Sequence, residues 1–136
     1  MRIDKSVGFL LAKAYQRACV IFKEEFEGYD LTPQQFGLLR FLWQEDGITQ
    51  AELSAKSHID RTTTGGLIDR LEKEGLLARC SHPEDRRAYR ICLTEKGRAL
   101  QPKLTPLAAT VEQKFTAKLD QQEVETLKYL LEKIRS

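Results

Sequence analysis

The segment Asp85-Arg86-Arg87-Ala88-Tyr89-Arg90, followed by Leu93-Thr94-Glu95-Lys96-Gly97, gathers guanidiniums and one carboxylate into a short loop ahead of an alternating run. Between Arg79 and Arg90 stand four arginines, at 79, 86, 87 and 90, against the two acids Glu84 and Asp85. Arginine keeps its charge at any physiological pH, and its planar fork is drawn into the narrow, strongly negative minor groove of A·T-rich duplex DNA. Taken alone, the loop is equally a solvated turn whose surface ion pair contributes little. A second set of residues lies upstream in Arg61-Thr62-Thr63-Thr64-Gly65-Gly66-Leu67-Ile68-Asp69-Arg70-Leu71. On a helix, Leu67, Ile68 and Leu71 share one face and leave Thr62, Thr63, Gly66 and Arg70 on the other. A slim face of hydroxyls, glycine and a cationic tip suits the major groove, where hydroxyls meet phosphates or base edges.

Local signals define the elements that must hold these residues. Thr49 with Glu52 forms a reciprocal capping pair that opens one helix, in which the Thr49 hydroxyl takes the Glu52 N–H and the Glu52 carboxylate returns to the Thr49 N–H. Asp60 caps a second helix, and Gly75 ends it in the left-handed region. His58 falls in the turn between them. A strand from Leu76 to Cys80, the arginine loop with His82, and a strand from Tyr89 to Leu93 complete the order helix, turn, helix, strand, loop, strand. Upstream, Thr32-Pro33-Gln34-Gln35 marks another helix start, which carries Phe36, Leu39, Leu42 and Trp43 inward. Long apolar stripes occupy both ends of the chain. One helix is expected from about Asp4 to Glu27, through Val7, Leu10, Leu11, Ala14, Ala18, Ile21, Phe22 and Phe26. Another stripe opens at Thr94 and should kink or restart near residue 102, because Pro102 and Pro106 each remove an N–H. A last helix capped by Asp120 carries Val124, Leu127, Leu130, Leu131 and Ile134.

With Leu53-Ser54, Asp60-Arg61-Thr62-Thr63, Asp69-Arg70-Leu71, Gly75-Leu76, Asp85-x-Arg87 and Leu93-Thr94-x-x-Gly97, the chain resembles the MarR family of bacterial transcription regulators over nearly its whole length. The resemblance implies a mainly α fold with a small β component. A winged helix-turn-helix core over about residues 32–98 would be flanked by dimerisation helices at about 1–30 and 99–136, all within a single domain, 1–136. It also implies a homodimer that represses from a pseudo-palindromic double-stranded operator and is released when a small phenolic or anionic effector binds or a cysteine is oxidised. Arg87 would enter the minor groove with Asp85 holding it in place. The DNA-binding set is then Arg61, Thr62, Thr63, Thr64, Gly66, Arg70, Arg79, Asp85, Arg86 and Arg87, with further phosphate contacts from Lys96 or Arg98. Gly65-Gly66 departs from the larger polar or basic side chains common at that place in the family, which thins direct base reading.

Composition sets the outer limits. A chain of 136 residues, 41% hydrophobic and 31% charged, has the size of one globular domain, and a net charge of +2 leaves nucleic-acid binding to local clustering. No stretch approaches the roughly 20 apolar residues that span a bilayer, so a cytoplasmic protein is expected. Three cysteines without a CxxC pair argue against a disulfide framework, and His58 and His82 lack a second ligand at metal spacing, so neither metal nor cofactor is expected. No nucleophile–base pair or phosphate-cradling glycine loop is present, which argues against an enzyme. Tyr15, Phe26, Tyr29, Arg40 and Trp43 are candidates for an effector pocket, with Arg40 available to pair a carboxylate. Cys19, one helical turn after Tyr15, is a redox candidate. Cys80 and Cys92 lie on the two strands beside the loop and face each other in one register. Two alternatives stand beside the main reading: a winged-helix module that binds protein rather than specific DNA, and a cysteine-based redox-sensing regulator.

Overall fold

The computed structural model describes residues 2–85 and 87–136. A 3₁₀ turn at Ile3–Lys5 precedes α1 (Val7–Glu25). The helix therefore starts three residues later than the apolar periodicity suggests, because the Ser6 side chain caps it by accepting the Phe9 N–H at 3.3 Å. There follow α2 (Pro33–Gln44), the two-residue strand β1 (Ile48–Thr49), α3 (Gln50–Ser57), α4 (Arg61–Lys73), β2 (Leu77–Ser81), β3 (Tyr89–Leu93), α5 (Glu95–Ala99), α6 (Gln101–Phe115) and α7 (Gln121–Arg135).

Each cap proposed from sequence is present, one in altered form. Thr32 and Gln35 exchange both bonds of a capping box at the start of α2, as Asp120 and Glu123 do at α7. Thr49 accepts the Glu52 N–H at 3.1 Å, but its hydroxyl donates to the Glu52 carboxylate at 3.2 Å, so the return bond does not reach the backbone. Thr49 is also the last residue of β1, opposite Arg90 on β3. Gly75 (φ +78°) closes α4 with its N–H on the Glu72 carbonyl while the Leu76 N–H reaches the Leu71 carbonyl. This paired closure satisfies two orphan carbonyls and holds Leu76 out of the strand, so β2 begins at Leu77. The proline-marked helix restarts at Gln101 with Pro102 in its first turn, and it runs on through Pro106. Thr105 and Thr110 donate their hydroxyls back to the carbonyls of Gln101 and Pro106.

The sheet is antiparallel in the order β1-β3-β2, with Leu77 opposite Leu93, Arg79 opposite Ile91 and Ser81 opposite Tyr89. Leu77, Ile91 and Leu93 therefore share a face, and they are buried with Leu38, Leu39, Leu42, Leu53, Ile68 and Leu71 in one core. The alternation predicted for the hairpin is that of a sheet with one face packed. β1 escaped the sequence reading because two residues carry no periodicity.

The chain divides into two compact units, residues 28–105 and the pair of segments up to Glu27 and from Pro106. The boundary falls inside α6 rather than at residue 98, where the expected core ended. In the terminal unit, α7 has no buried residue although Tyr129, Leu130, Leu131 and Ile134 are apolar, and Val7, Leu10 and Leu11 on α1 are likewise exposed.

Candidate nucleic-acid interface

α4 owes its orientation to a clamp on the preceding turn. Ser54 and Thr64 both donate their hydroxyls to the Ile59 carbonyl, while the Asp60 carboxylate accepts the Thr63 N–H at 3.0 Å. Those backbone bonds hold the Asp60 carboxyl below its ordinary range. His58 turns the chain in the left-handed region at φ 57°. On the other side of the turn, the Gln50 amide donates to the Arg61 carbonyl, joining α3 to the first turn of α4.

Leu67, Ile68 and Leu71 of α4 are buried as expected, and Arg61, Thr62, Thr63, Gly66 and Arg70 are exposed. Thr64 does not belong with them. It is fully buried and its hydroxyl is engaged with Ile59, so it positions the helix and is unavailable to a base. Gly66 faces open space, since a Cβ built there meets nothing within 4 Å, whereas one at Gly65 would lie 3.0 Å from Gln50 Nε2.

Arg79 is also placed differently from the expectation. Its guanidinium donates to Asp69 Oδ1 at 2.7 Å and Glu72 Oε1 at 2.8 Å, and its backbone N–H meets Glu72 as well. The bond to Asp69 and the charge of Glu72 raise its pKa further. A cation bonded to two carboxylates is a strut between β2 and α4, not a free phosphate ligand. Lys96 and Arg98 are exposed, and each donates to a backbone carbonyl, of Glu74 and Leu93 respectively. Sequence reading missed Asp69 and Glu72, whose spacing of three on α4 is the signal that they share a partner.

The loop between β2 and β3 is closed by its own backbone. The His82 N–H meets the Ala88 carbonyl, and the Ala88 N–H meets the Asp85 carbonyl, both at 3.2 Å. Asp85 Oδ1 accepts the Arg87 N–H at 2.9 Å, and His82 Nδ1 accepts the Glu84 N–H. Asp85 thus holds the backbone of Arg87 instead of its guanidinium, which stays exposed at the tip with the aromatic ring of Tyr89 exposed nearby in sequence. Arg86 lies outside the described residues.

The base of the hairpin explains the Leu93-Thr94-x-x-Gly97 motif. Thr94 donates its hydroxyl to the Gly75 carbonyl and accepts the Gly97 N–H, and its own N–H meets the Leu76 carbonyl. Gly97 sits so close that a Cβ would fall 2.2 Å from the Leu76 oxygen. Trp43 donates its indole N–H to the Gly97 carbonyl, and Asp46 accepts the Leu93 N–H.

The five proposed effector residues are divided between the two units. Phe26 is buried and stacked on Phe22, and Tyr15 is exposed with its hydroxyl pKa raised by hydrogen bonding to Cys19 and by burial. In the other unit, Tyr29 lines a cavity of about 400 Å³ with Glu74, Leu76, Lys96 and Leu100. Arg40, stacked over Phe36 at 5.5 Å, lines a different one of about 230 Å³, and Trp43 is tied to Gly97. Arg40 and Trp43 flank the same Phe36 ring, at 5.5 and 5.9 Å, whereas Tyr29 lines a separate cavity.

Comparison with known proteins agrees with this architecture. The family model described as "MarR family" matches residues 31–89. The chain is 34% identical to the transcriptional repressor NicR of Pseudomonas putida, over 97% of this chain and 84% of that protein. To the homoprotocatechuate degradative operon repressor of Escherichia coli it is 30% identical, over 93% and 86%. Among solved structures, BpsR of Bordetella bronchiseptica, described with regulation of its DNA binding by 6-hydroxynicotinic acid, superposes with a TM-score of 0.93 at 33% identity over 100% and 97% of the two chains. The repressor CouR, bound to a 23-mer DNA duplex, gives 0.88 at 31% identity over 98% and 95%.

Proposed function

Because the chain belongs to the MarR family of transcription regulators, we propose that it acts as a homodimeric repressor that lays two α4 helices into successive major grooves of a pseudo-palindromic operator. Arg61, Thr62, Thr63 and Arg70 meet phosphates and base edges, and Gly66 lets the backbone approach closely. Arg87 enters the adjacent minor groove from a loop stiffened by Asp85. The observation that carries this reading is the solvent face of α4, free of large side chains along Thr62, Thr63 and Gly66, beside a hairpin bolted to the same helix through Arg79.

The terminal unit supports dimerisation. Its apolar side chains, Tyr129 at 64% and Ile134 at 62% exposure among them, need a partner surface that the protomer's own unit does not provide. The effector we assign is an aromatic acid, a choice supported by the 6-hydroxynicotinic acid and homoprotocatechuate named with two relatives. Arg40 is the candidate with a charge to offer its carboxylate.

A gel shift with the DNA upstream of the chain's own gene tests the proposal. Wild-type protein should bind that fragment in preference to random duplex, with affinity falling steeply as salt rises. Arg87→Ala should lose about 1 to 3 kcal/mol of binding with its fold intact. Equal affinity for both duplexes, with or without an aromatic acid, favours the protein-binding module instead.

A further inference from the structure

We infer that Gln50, reaching from α3 across the space left by Gly65, is a positioning residue for base reading. It fixes the first turn of α4 at the angle from which Arg61, Thr62 and Thr63 meet DNA. The inference rests on the operator binding proposed above and adds to it a residue outside the reading helix that sets discrimination between sequences.

Two distances meet at one nitrogen. Gln50 Nε2 donates to the Arg61 carbonyl at 3.2 Å, and a Cβ built on Gly65 would fall 3.0 Å from that same Nε2 and 3.8 Å from Gln50 Cδ. Both residues are half-buried. Gly28, Gly47 and Gly75 have positive φ, whereas Gly65 lies within the regular backbone of α4, which any residue adopts. Alanine would suit such a position better, because glycine gives up more freedom on entering a helix. What a side chain at 65 cannot do is share its place with the Gln50 amide. The pair Gly65-Gly66 therefore divides by purpose. Gly65 makes room for the protein's own amide, and Gly66, with nothing within 4 Å, is left open to the groove.

The bond lands at the end of α4 that a recognition helix turns towards base edges. In an α-helix the Arg61 carbonyl accepts the N–H four residues on, and its second lone pair is open to another donor. Gln50 supplies that donor from α3, while Ser54 and Thr64, both on the Ile59 carbonyl, hold the turn between the helices. Gln50 is also the first residue of α3, directly after Ile48 and Thr49, which pair with Ile91 and Arg90 of β3. The first turn of α4 is thereby registered against the hairpin that carries Arg87. Hydrogen bonds to base edges weaken steeply with distance and angle, whereas phosphate contacts carry no sequence information. Releasing the Gln50 tether should for this reason erode discrimination and leave general affinity for duplex DNA in place.

Two single variants of the full-length protein and one double variant test this. Gln50→Met keeps the length of the side chain and loses the donor; Gly65→Ala keeps the donor and pushes it aside. Each should bind the upstream fragment about tenfold more weakly, the worth of one good base contact, with affinity for random duplex and its salt dependence unchanged. Gly65→Ala should melt no lower than wild type, so stability and discrimination part company, which loss of mere structural support would not allow. In a Gln50→Ala background there is no amide to displace, and adding Gly65→Ala should cost no further binding. A single variant that discriminates like wild type, a parallel loss on random duplex, or an undiminished Gly65→Ala loss in the Gln50→Ala background overturns the inference. Without DNA, backbone amide NMR signals of residues 61–65 should shift in both single variants; unmoved signals refute the tether. If wild type itself shows no preference for the upstream fragment, the functional reading fails, and the amide signals still decide whether Gln50 holds the turn.

Discussion

Two glycines of this chain have opposite reasons for being glycine. Gly97 has no room: a Cβ would sit 2.2 Å from the Leu76 carbonyl oxygen and 3.3 Å from Leu93 Cδ2, and the first contact is backbone, which cannot rotate away. Gly97→Ala should therefore push α5 off the α4–β2 junction and strain the Trp43 bond to residue 97. The expected loss is about 1 to 3 kcal/mol of unfolding free energy, read from urea midpoints at unchanged slope. Gly66 has nothing within 4 Å, and neither packing nor backbone requires a glycine there. Gly66→Ala should stabilise α4 by about 0.5 to 1 kcal/mol while weakening operator binding. An alanine that stabilised the protein and left affinity untouched would remove Gly66 from the interface. In sequence the two positions look alike, because what separates them is distance to atoms more than twenty residues away for Gly97 and empty space for Gly66.

Elements show where sequence reading succeeds. Caps were legible because donor and acceptor lie within three residues: Thr32, Thr49, Asp60, Thr94 and Asp120 each accept the N–H three positions on, and only Ser6, which does the same, was passed over. Arg79 was misread because its partners Asp69 and Glu72 lie on another element, and tertiary pairing leaves no trace in local pattern. Thr64 was a different failure. Positions 64, 67, 68 and 71 already describe one helical face, so its burial was written in the spacing and was obscured by the identical neighbours Thr62 and Thr63. The cap at Asp60 makes a prediction at this scale. Its folded carboxyl titrates below the ordinary carboxylate range, so the ionised cap stabilises α4 at pH above the unfolded value. That contribution is lost as pH falls through the lowered folded value. Asp60→Asn keeps a capping acceptor but removes the titration. Thermal melts should show the variant less stable than wild type at neutral pH and the gap narrowing with acid. A gap that widened in acid would refute the assignment.

At the scale of the whole molecule, the apolar side chains of the terminal unit bear on assembly. α7 buries none of its residues within the chain, although it carries Leu130, Leu131 and Ile134, at 48%, 39% and 62% exposure. Leu119, Leu127 and Leu130 line an open groove of about 420 Å³ along the same helix. Replacing Leu130 by glutamate removes nothing from the protomer's core, so the fold should survive by circular dichroism. A charge placed in a desolvated dimer interface, in contrast, is expensive to bury. Sedimentation should give twice 15.6 kDa for wild type and 15.6 kDa for Leu130→Glu at micromolar concentration. Each freed monomer then reaches only one half-site, and the loss of linkage between two binding events should cut operator affinity by at least about a hundredfold. A Leu130→Glu protein that remained dimeric would move the interface elsewhere. One that became monomeric and still gripped a full operator as tightly as wild type would show that the two half-sites are not read together, and the symmetry assigned to the operator would go with it.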